Sequence, residues 1–176
     1  WSNGPHLVRA DNGRLLTERD LDPGGDERHL LAWDEVGGAL VPYDVASGCY
    51  RGDASRLALE GEYRIATTEG ELLCHPAFEL YRRLCRRYPA AAIESICWIP
   101  ADQVEQAAHL IWHSRPLSYY AWSGHEQHAN VTQTARAISL LYALSGSFDQ
   151  RGGKGMDLVD ERVGDRRDRA DRAATG

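Results

Sequence analysis

The sequence predicts an α/β fold, with a β-rich N-terminal half followed by helix–strand–helix units of a parallel sheet that form part of a larger domain. Short apolar runs separated by turn residues fill positions 1–75, which is typical of β-hairpins. Over 76–153 apolar residues recur at helical spacing, and an aromatic run of strand length at 117–122 separates two helices. Because helices that alternate with strands favour a parallel sheet, we expect an α/β segment there.

Three hairpins are predicted in the region 1–75. The first turns at Asp11-Asn12-Gly13, since Asn-Gly is the strongest short hairpin signal. The second turns at Glu35-Val36-Gly37-Gly38 and the third at Glu69-Gly70, each between apolar runs of strand length. We interpret this region as a covering or inserted layer and not as a catalytic core.

Helices are predicted in the region 76–153. One covers 78–87, and another begins at Pro100, a residue suited to the first helical position. The helix at 131–145 is apolar nearly all round, so we expect it to be buried. Asn130, with a glutamine three residues later, resembles a capping box, and Gly146 is the predicted C′ residue.

The composition excludes two classes of function. Lys and Arg total 20 against 26 for Asp and Glu, a formal net charge of −6, so there is no basic excess to bind nucleic acid or anionic membrane. Apolar stretches stay well short of the roughly 20 residues that span a bilayer, so no transmembrane segment is predicted. Hydrophobic residues make up 43%, enough for a packed core.

The two ends of the sequence are unusual. The chain begins at Trp1, and its only methionine, Met156, follows Lys154 in the charged region 154–176. We therefore expect an internal fragment of a larger protein. Large apolar residues are sparse in 154–176, and we expect this tail to be disordered or read out of frame.

The four cysteines, at positions 49, 74, 85 and 97, contain no C-x-x-C pair. They match neither a zinc ribbon nor the ligand run of an iron–sulfur cluster. We expect reduced thiols that serve in packing.

The loop 122–130 is the candidate binding site. It lies between the predicted strand and the last helix, and in open α/β sheets ligands bind where strands end and helix N-termini begin. Ser123, Gln127 and Asn130 supply neutral hydrogen-bonding groups, and Gly124 would let a ligand approach the backbone. The alternative is a surface loop that only caps the helix.

A zinc-dependent hydrolase is a second alternative. His125-Glu126-Gln127-His128 is one residue short of the zincin motif H-E-x-x-H. His109 and His113 have i, i+4 spacing on the preceding helix, where both would share one face. A joint site with the loop would require the chain to fold back past Pro116.

A longer pattern resembles the molybdopterin oxidoreductases of the dimethyl sulfoxide reductase superfamily. Its first part runs from Ser118 to Asn130 as SYYAWSGHEQHAN, and its second runs from Ala135 to Gly153, with ARAI, LSGSFD and GG in that order. The segment IPADQVEQAA at 99–108 also resembles the helix that precedes the loop in this family. The likeness extends over 1–153, and the order of its motifs is more specific than any one of them.

The resemblance implies the cofactor and its contacts. In related members the loop glutamine and the residue four before it contact the cofactor, which here are Gln127 and Ser123, with Gly124 and His128 as further candidates. The implied cofactor is molybdenum bis(molybdopterin guanine dinucleotide).

The resemblance also implies what the chain lacks. An iron–sulfur cluster is implied in the parent enzyme, but its ligands, the metal ligand and the catalytic residues are not found in this chain. The implied partners are the remainder of the parent molybdoenzyme and an electron-transfer subunit. We expect the isolated chain to be inactive, and a non-catalytic structural or interaction module remains an alternative.

Overall fold

The computed structural model of the chain describes residues 3–120, 122–148 and 151–153, and the charged tail 154–176 lies outside them. The chain divides into two compact units, Trp1–Ala92 (the N-unit) and Ile93–Gly176 (the C-unit). The strands are β1 (Leu7–Arg9), β2 (Leu31–Asp34), β3 (Ala39–Asp44), β4 (Cys49–Tyr50), β5 (Tyr63–Thr67) and β6 (Gly70–Pro76). The helices are α1 (Glu18–Leu21), α2 (Ala77–Cys85), α3 (Ala90–Cys97), α4 (Ala101–His113), α5 (Ser123–Glu126) and α6 (Val131–Ser145), besides a 3-10 turn at Ala54–Arg56.

The N-unit contains two three-stranded antiparallel sheets, in the orders β1-β6-β5 and β2-β3-β4. The second and third predicted hairpins are found as β2–β3 and β5–β6. At the first predicted turn, Gly13 has a φ of 73°, and an antiparallel bridge joins Val8 to Leu15. The β-rich character of this region is therefore as predicted.

The core of the N-unit is formed by side chains that the two sheets share. Its larger cluster of buried residues is Leu7, Leu16, Leu31, Ile65 and Cys74. A bridge between His6 and Ala32 joins the edges of the two sheets, and His6 is buried with its Nδ1 2.9 Å from the Tyr50 hydroxyl. Burial lowers the pKa of His6, because the charged imidazolium loses its hydration.

Helix α2 starts directly after β6, with Pro76 as its N-cap residue, and its most buried residue is the acidic Glu79. The Glu79 carboxylate accepts hydrogen bonds from Arg83 Nε at 2.7 Å and Arg82 Nη2 at 2.6 Å. These guanidinium groups, Arg83 first, hold the pKa of Glu79 below its usual range.

In the C-unit, helices α4 and α6 occupy the predicted positions. Helix α4 begins after Pro100, and helix α6 ends at the predicted Gly146, whose φ is 63°. Gly146 N–H donates to the Ala143 carbonyl, and Ser147 N–H donates to the Tyr142 carbonyl at 2.8 Å. This pair of bonds is a Schellman motif, which turns the chain back over the helix end.

The predicted parallel sheet is not found: the strand pairs of the described residues are all antiparallel. Residues 117–120 and 122 have no regular secondary structure, although their sequence is that of a strand. A strand forms only where a neighbour receives its backbone hydrogen bonds. Two backbone groups of this segment bond to side chains instead: Leu117 N–H donates to Ser147 Oγ, and the Tyr119 carbonyl accepts from the Tyr142 hydroxyl.

The expectation that α6 is buried also needs correction. Its buried residues are Tyr142 and Ser145, while Leu140, Leu141 and Leu144 are exposed. The described part of the chain supplies too few apolar neighbours to cover a helix that is apolar on every side. The predicted capping box is absent too, since Asn130 precedes α6 without a side-chain capping bond.

The four cysteines are free thiols, as expected, but a packing role applies to Cys74 alone. Cys74 is fully buried in the N-unit core, and burial raises the pKa of its thiol to about 11. The other three are exposed. Among the described helices, none has the length and apolar character needed to cross a membrane.

Candidate functional site

The candidate loop begins with one helical turn. Helix α5 covers Ser123 to Glu126, and Gln127 follows as its C-cap residue. Gln127 N–H donates to the Ser123 carbonyl at 3.2 Å, which closes the turn. Residues at i and i+4 across such a turn lie on the same face, so the structure brings together the two residues that the family resemblance singles out.

Three polar side chains of this loop are exposed. Ser123, Gln127 and His128 are all exposed, and their side chains form no hydrogen bond to another residue in the described part of the chain. A hydroxyl and an amide carry both donors and acceptors, so this surface offers neutral groups for a ligand rich in heteroatoms.

Gly124 and Asn130, two further loop residues, have no role in the backbone conformation or in helix capping that would require these residue types. A Cβ added at Gly124 would meet nothing within 4 Å among the described atoms, and the φ of Gly124 is not positive. The backbone of the chain itself therefore does not require glycine at this position. Asn130 forms no cap, so the first N–H groups of α6 stay without a side-chain acceptor from this residue.

Buried hydroxyl groups at the C-terminal end of α6 were not predicted from the sequence. Ser147 is fully buried, and its Oγ lies 2.7 Å from Ser145 Oγ and 3.0 Å from the Leu117 nitrogen. Tyr142 is also buried, and its hydroxyl donates to the Tyr119 carbonyl at 3.3 Å. Burial raises the pKa of Tyr142. The sequence signal for the buried Ser147 was its position directly after the C′ glycine, because a Schellman turn brings that residue back against the helix end.

Other features of the described residues give no competing site. No group of three or more His, Cys, Asp or Glu side chains in that part of the chain could hold a metal ion. His109 and His113 stack on each other, with ring centroids 6.1 Å apart. Two surface cavities, of about 520 and 230 Å³, are lined by N-unit residues and share Arg19 and Glu27.

The chain is similar to the alpha subunits of three known enzymes. It is 29% identical over 154 residues to the dimethylsulfide dehydrogenase subunit alpha of Rhodovulum sulfidophilum, which covers 85% of this chain. It is 24% identical over 177 residues to the perchlorate reductase subunit alpha of Dechloromonas aromatica, and 26% identical over 155 residues to the chlorate reductase subunit alpha of Ideonella dechloratans; each covers 84% of this chain. No family model matches the chain.

These homologues are α subunits of molybdopterin oxidoreductases. The predicted resemblance to the dimethyl sulfoxide reductase superfamily is thus confirmed, and the enzymes that the chain resembles are oxidoreductases. It spans only 16 to 19% of the length of these relatives.

The loop residues suit a molybdenum–pterin cofactor in their chemistry. A pterin and a diphosphate present many acceptors and donors, and Ser123, Gln127 and His128 present exposed hydroxyl, amide and imidazole groups that no described residue engages. The described residues give these side chains no other hydrogen-bonding task. Within the described part of the chain, every buried side-chain nitrogen or oxygen has a hydrogen-bond partner, so the unsatisfied polar groups are those on the surface.

Proposed function

We propose that this chain belongs to the α subunit of a molybdopterin oxidoreductase and contributes part of the site for molybdenum bis(molybdopterin guanine dinucleotide). The homology to three such α subunits supports the class of enzyme and the metal–pterin cofactor. The observation that carries the proposal is the exposed turn of α5, where Ser123 and Gln127 share one face.

Each loop residue has a distinct part in this proposal. The Gln127 amide and the Ser123 hydroxyl bind heteroatoms of the pterin, and His128 donates or accepts from its ring. Gly124 leaves the backbone open for a ligand, as its empty surroundings allow. The N–H groups at the start of α6 favour the negative charge of a diphosphate. When bound, the molybdenum supplies the oxygen-transfer or electron-transfer chemistry.

The apolar surface of the C-unit supports a place within a larger subunit. Its exposed large hydrophobic side chains include Ile96, Trp98, Ile99, Leu110, Trp112, Tyr120, Trp122, Leu140, Leu141 and Leu144. Soluble proteins rarely leave such a surface uncovered. We infer that other segments of the parent molybdoenzyme cover it, and that one of them pairs with 117–122 to form the parallel strand that the sequence indicates.

The remaining functions of the enzyme belong to other parts of it. We assign the ligands of an iron–sulfur cluster, the metal ligand and the contact with an electron-transfer subunit to other parts of the parent enzyme. The isolated chain is therefore expected to show no turnover when mixed with the cofactor and a dye as electron donor. Turnover under those conditions would contradict this assignment.

The cofactor role is tested in a complete α subunit in which this chain replaces the segment it matches in the dimethylsulfide dehydrogenase α subunit. Gln127→Ala removes the amide, and Gln103→Ala is the matched control, because Gln103 is an exposed glutamine in the first turn of α4. Losing one hydrogen bond to the cofactor corresponds to about five- to tenfold weaker binding. We expect molybdenum and pterin per subunit to fall in Gln127→Ala and to stay unchanged in Gln103→Ala.

Equal cofactor content in the two variants would refute the proposal. It would favour the alternative of a structural or interaction module, in which the loop serves only as a connection between helices.

A further inference from the structure

Three consecutive residues before the candidate loop bond to the C-terminal end of α6 or to residues that follow it. Leu117 N–H donates to Ser147 Oγ at 3.0 Å, and the Tyr119 carbonyl accepts from the Tyr142 hydroxyl at 3.3 Å. A longer contact of 3.5 Å joins the Ser118 hydroxyl to the Gly153 carbonyl. These contacts connect residues 23 to 35 positions apart in the chain. They fix residues 117–119, which have no regular secondary structure of their own.

The serine hydroxyls form a chain with a defined direction. Ser145 Oγ donates its single hydrogen to the Leu141 carbonyl at 2.7 Å. The 2.7 Å contact between the two serines must then use the hydrogen of Ser147, which leaves the lone pairs of Ser147 Oγ free to accept from Leu117. Linked hydrogen bonds of this kind polarise and strengthen one another.

Because these hydroxyl groups are buried, losing their hydrogen-bond partners is unfavourable, and this restricts the position of residues 117–119. Ser147 is 0% exposed and Tyr142 is 5% exposed, so both side chains lie almost entirely out of contact with bulk water. A buried hydroxyl without a partner is unfavourable, and this excludes most alternative positions of residues 117–119. Only a few residues separate Tyr119 from the turn of α5, and α6 directly follows the loop. Both ends of the loop are therefore held by the same helix.

We propose that Tyr142, Ser145 and Ser147, the hydroxyl network, are positioning residues that set where Ser123 and Gln127 lie. This inference rests on the proposed cofactor role of the loop. The network touches the backbone of 117–119 and not the cofactor, and it acts by restricting the loop that carries the two side chains.

The first test measures amide hydrogen exchange in the full 176-residue chain. Ser147→Ala and Tyr142→Phe each remove one hydroxyl, and Tyr142→Phe keeps the aromatic ring if Ser147→Ala does not fold. Ser139→Ala is the control, because the exposed Ser139 hydroxyl donates to Ala135 within α6 itself. We expect exchange over 117–130 to become about five- to tenfold faster in the two network variants, with α4 and α6 unchanged.

The second test measures molybdenum and pterin retention in the complete α subunit described above. We expect Ser147→Ala and Tyr142→Phe to lower retention about threefold or more, Ser139→Ala to leave it unchanged, and Ser147→Thr, which keeps a hydroxyl, to restore it. A merely structural role would raise exchange across α4 and α6 as well. That result, or unchanged exchange over 117–130, would overturn the inference.

The two proposals fail in different ways. If Gln127→Ala lowers cofactor retention while the network variants loosen the loop without lowering it, the positioning role is wrong and the cofactor role stands. If Gln127→Ala itself has no effect, the cofactor role is wrong, and the positioning role falls with it.

Discussion

Replacing one leucine in each unit tests how much better the apolar side chains of the N-unit are buried than those of α6 in the C-unit. Leu16 in the N-unit is 0% exposed, and Leu141 on α6 is 38% exposed. Leu16→Ala removes about three methyl or methylene groups at about 0.8 kcal/mol each, or about 2.4 kcal/mol, and leaves a cavity in the core. We therefore expect a loss of about 3 to 4 kcal/mol in the free energy of unfolding. Leu141→Ala loses a smaller transfer term and opens no enclosed cavity, so about 1 kcal/mol is expected.

The assay must read the two units separately, because a single unfolding curve could mix them. Amide hydrogen exchange at increasing urea concentration does this: amides of β6 report on the N-unit, and amides of α6 report on the C-unit. Leu16→Ala should lower protection in β6 and leave α6 unchanged.

Equal losses for the two substitutions in the isolated chain would refute this reasoning, because they would show that α6 is packed as tightly as the N-unit core. The same pair tests the proposed larger subunit. In the complete α subunit, other segments are expected to cover α6, and the cost of Leu141→Ala should then rise towards that of Leu16→Ala.

Three further predictions concern single residues. Trp98 has a φ of 59°, so Trp98→Gly should raise stability by about 0.5 to 1 kcal/mol in thermal or urea unfolding, and a loss would contradict the strain. A Cβ at Gly25 would lie 2.5 Å from backbone atoms of Glu18, so Gly25→Ala should lower the free energy of unfolding of the N-unit, measured in urea, by about 2 kcal/mol or more. Gly124→Ala is the control and should cost little stability, because a Cβ there would meet nothing within 4 Å. The lowered pKa of His6 means that the folded state binds fewer protons than the unfolded state, so stability is full above pH 6.5 and falls as the pH drops below it. The urea midpoint should fall from pH 7.5 to 5.5, and less steeply in His6→Gln; equal slopes would exclude His6 as the cause.

The hairpins were predictable because their signals are local. Asn-Gly and Gly-Gly at the turns select tight reversals, and these positions adopt the positive φ values, 73° at Gly13 and 61° at Gly38, that glycine tolerates. Gly146 was predictable for the same reason, since a C′ residue in the left-handed region is a property of a few neighbouring residues.

The strand at 117–122 could not be decided from local signals. Its aromatic and apolar composition favours a strand, but a strand also needs a neighbouring backbone, which depends on residues far away in the chain. The burial of α6 failed for a related reason, because an apolar helix face indicates that a cover is needed without saying which segment provides it. In both cases the sequence indicates that a packing neighbour is needed, and the part of the chain that the structure describes does not supply one.

Family motifs located the candidate loop more precisely than physical patterns did. The polar residues of 122–130 were equally consistent with a capping loop, and the turn that unites Ser123 with Gln127 is visible only in the structure. The hydroxyl network was missed because a serine or tyrosine within an apolar helix, or just after its end, resembles an ordinary surface position. Their partners, Leu117 and Tyr119, lie 30 and 23 positions away, beyond the reach of any short motif.

The position of the candidate loop in the C-unit explains why hydrogen bonds have to hold it. Among the described residues, the buried hydrophobic side chains belong to the N-unit with the exception of Tyr142. A loop attached to a unit with so little core cannot be fixed by packing of its neighbours, so its position depends on directed contacts that tolerate few arrangements. Tyr142 provides both kinds of contact, since its ring is the buried apolar group of α6 and its hydroxyl binds the segment before the loop. Removing that hydroxyl should therefore affect the loop more than it affects the helix.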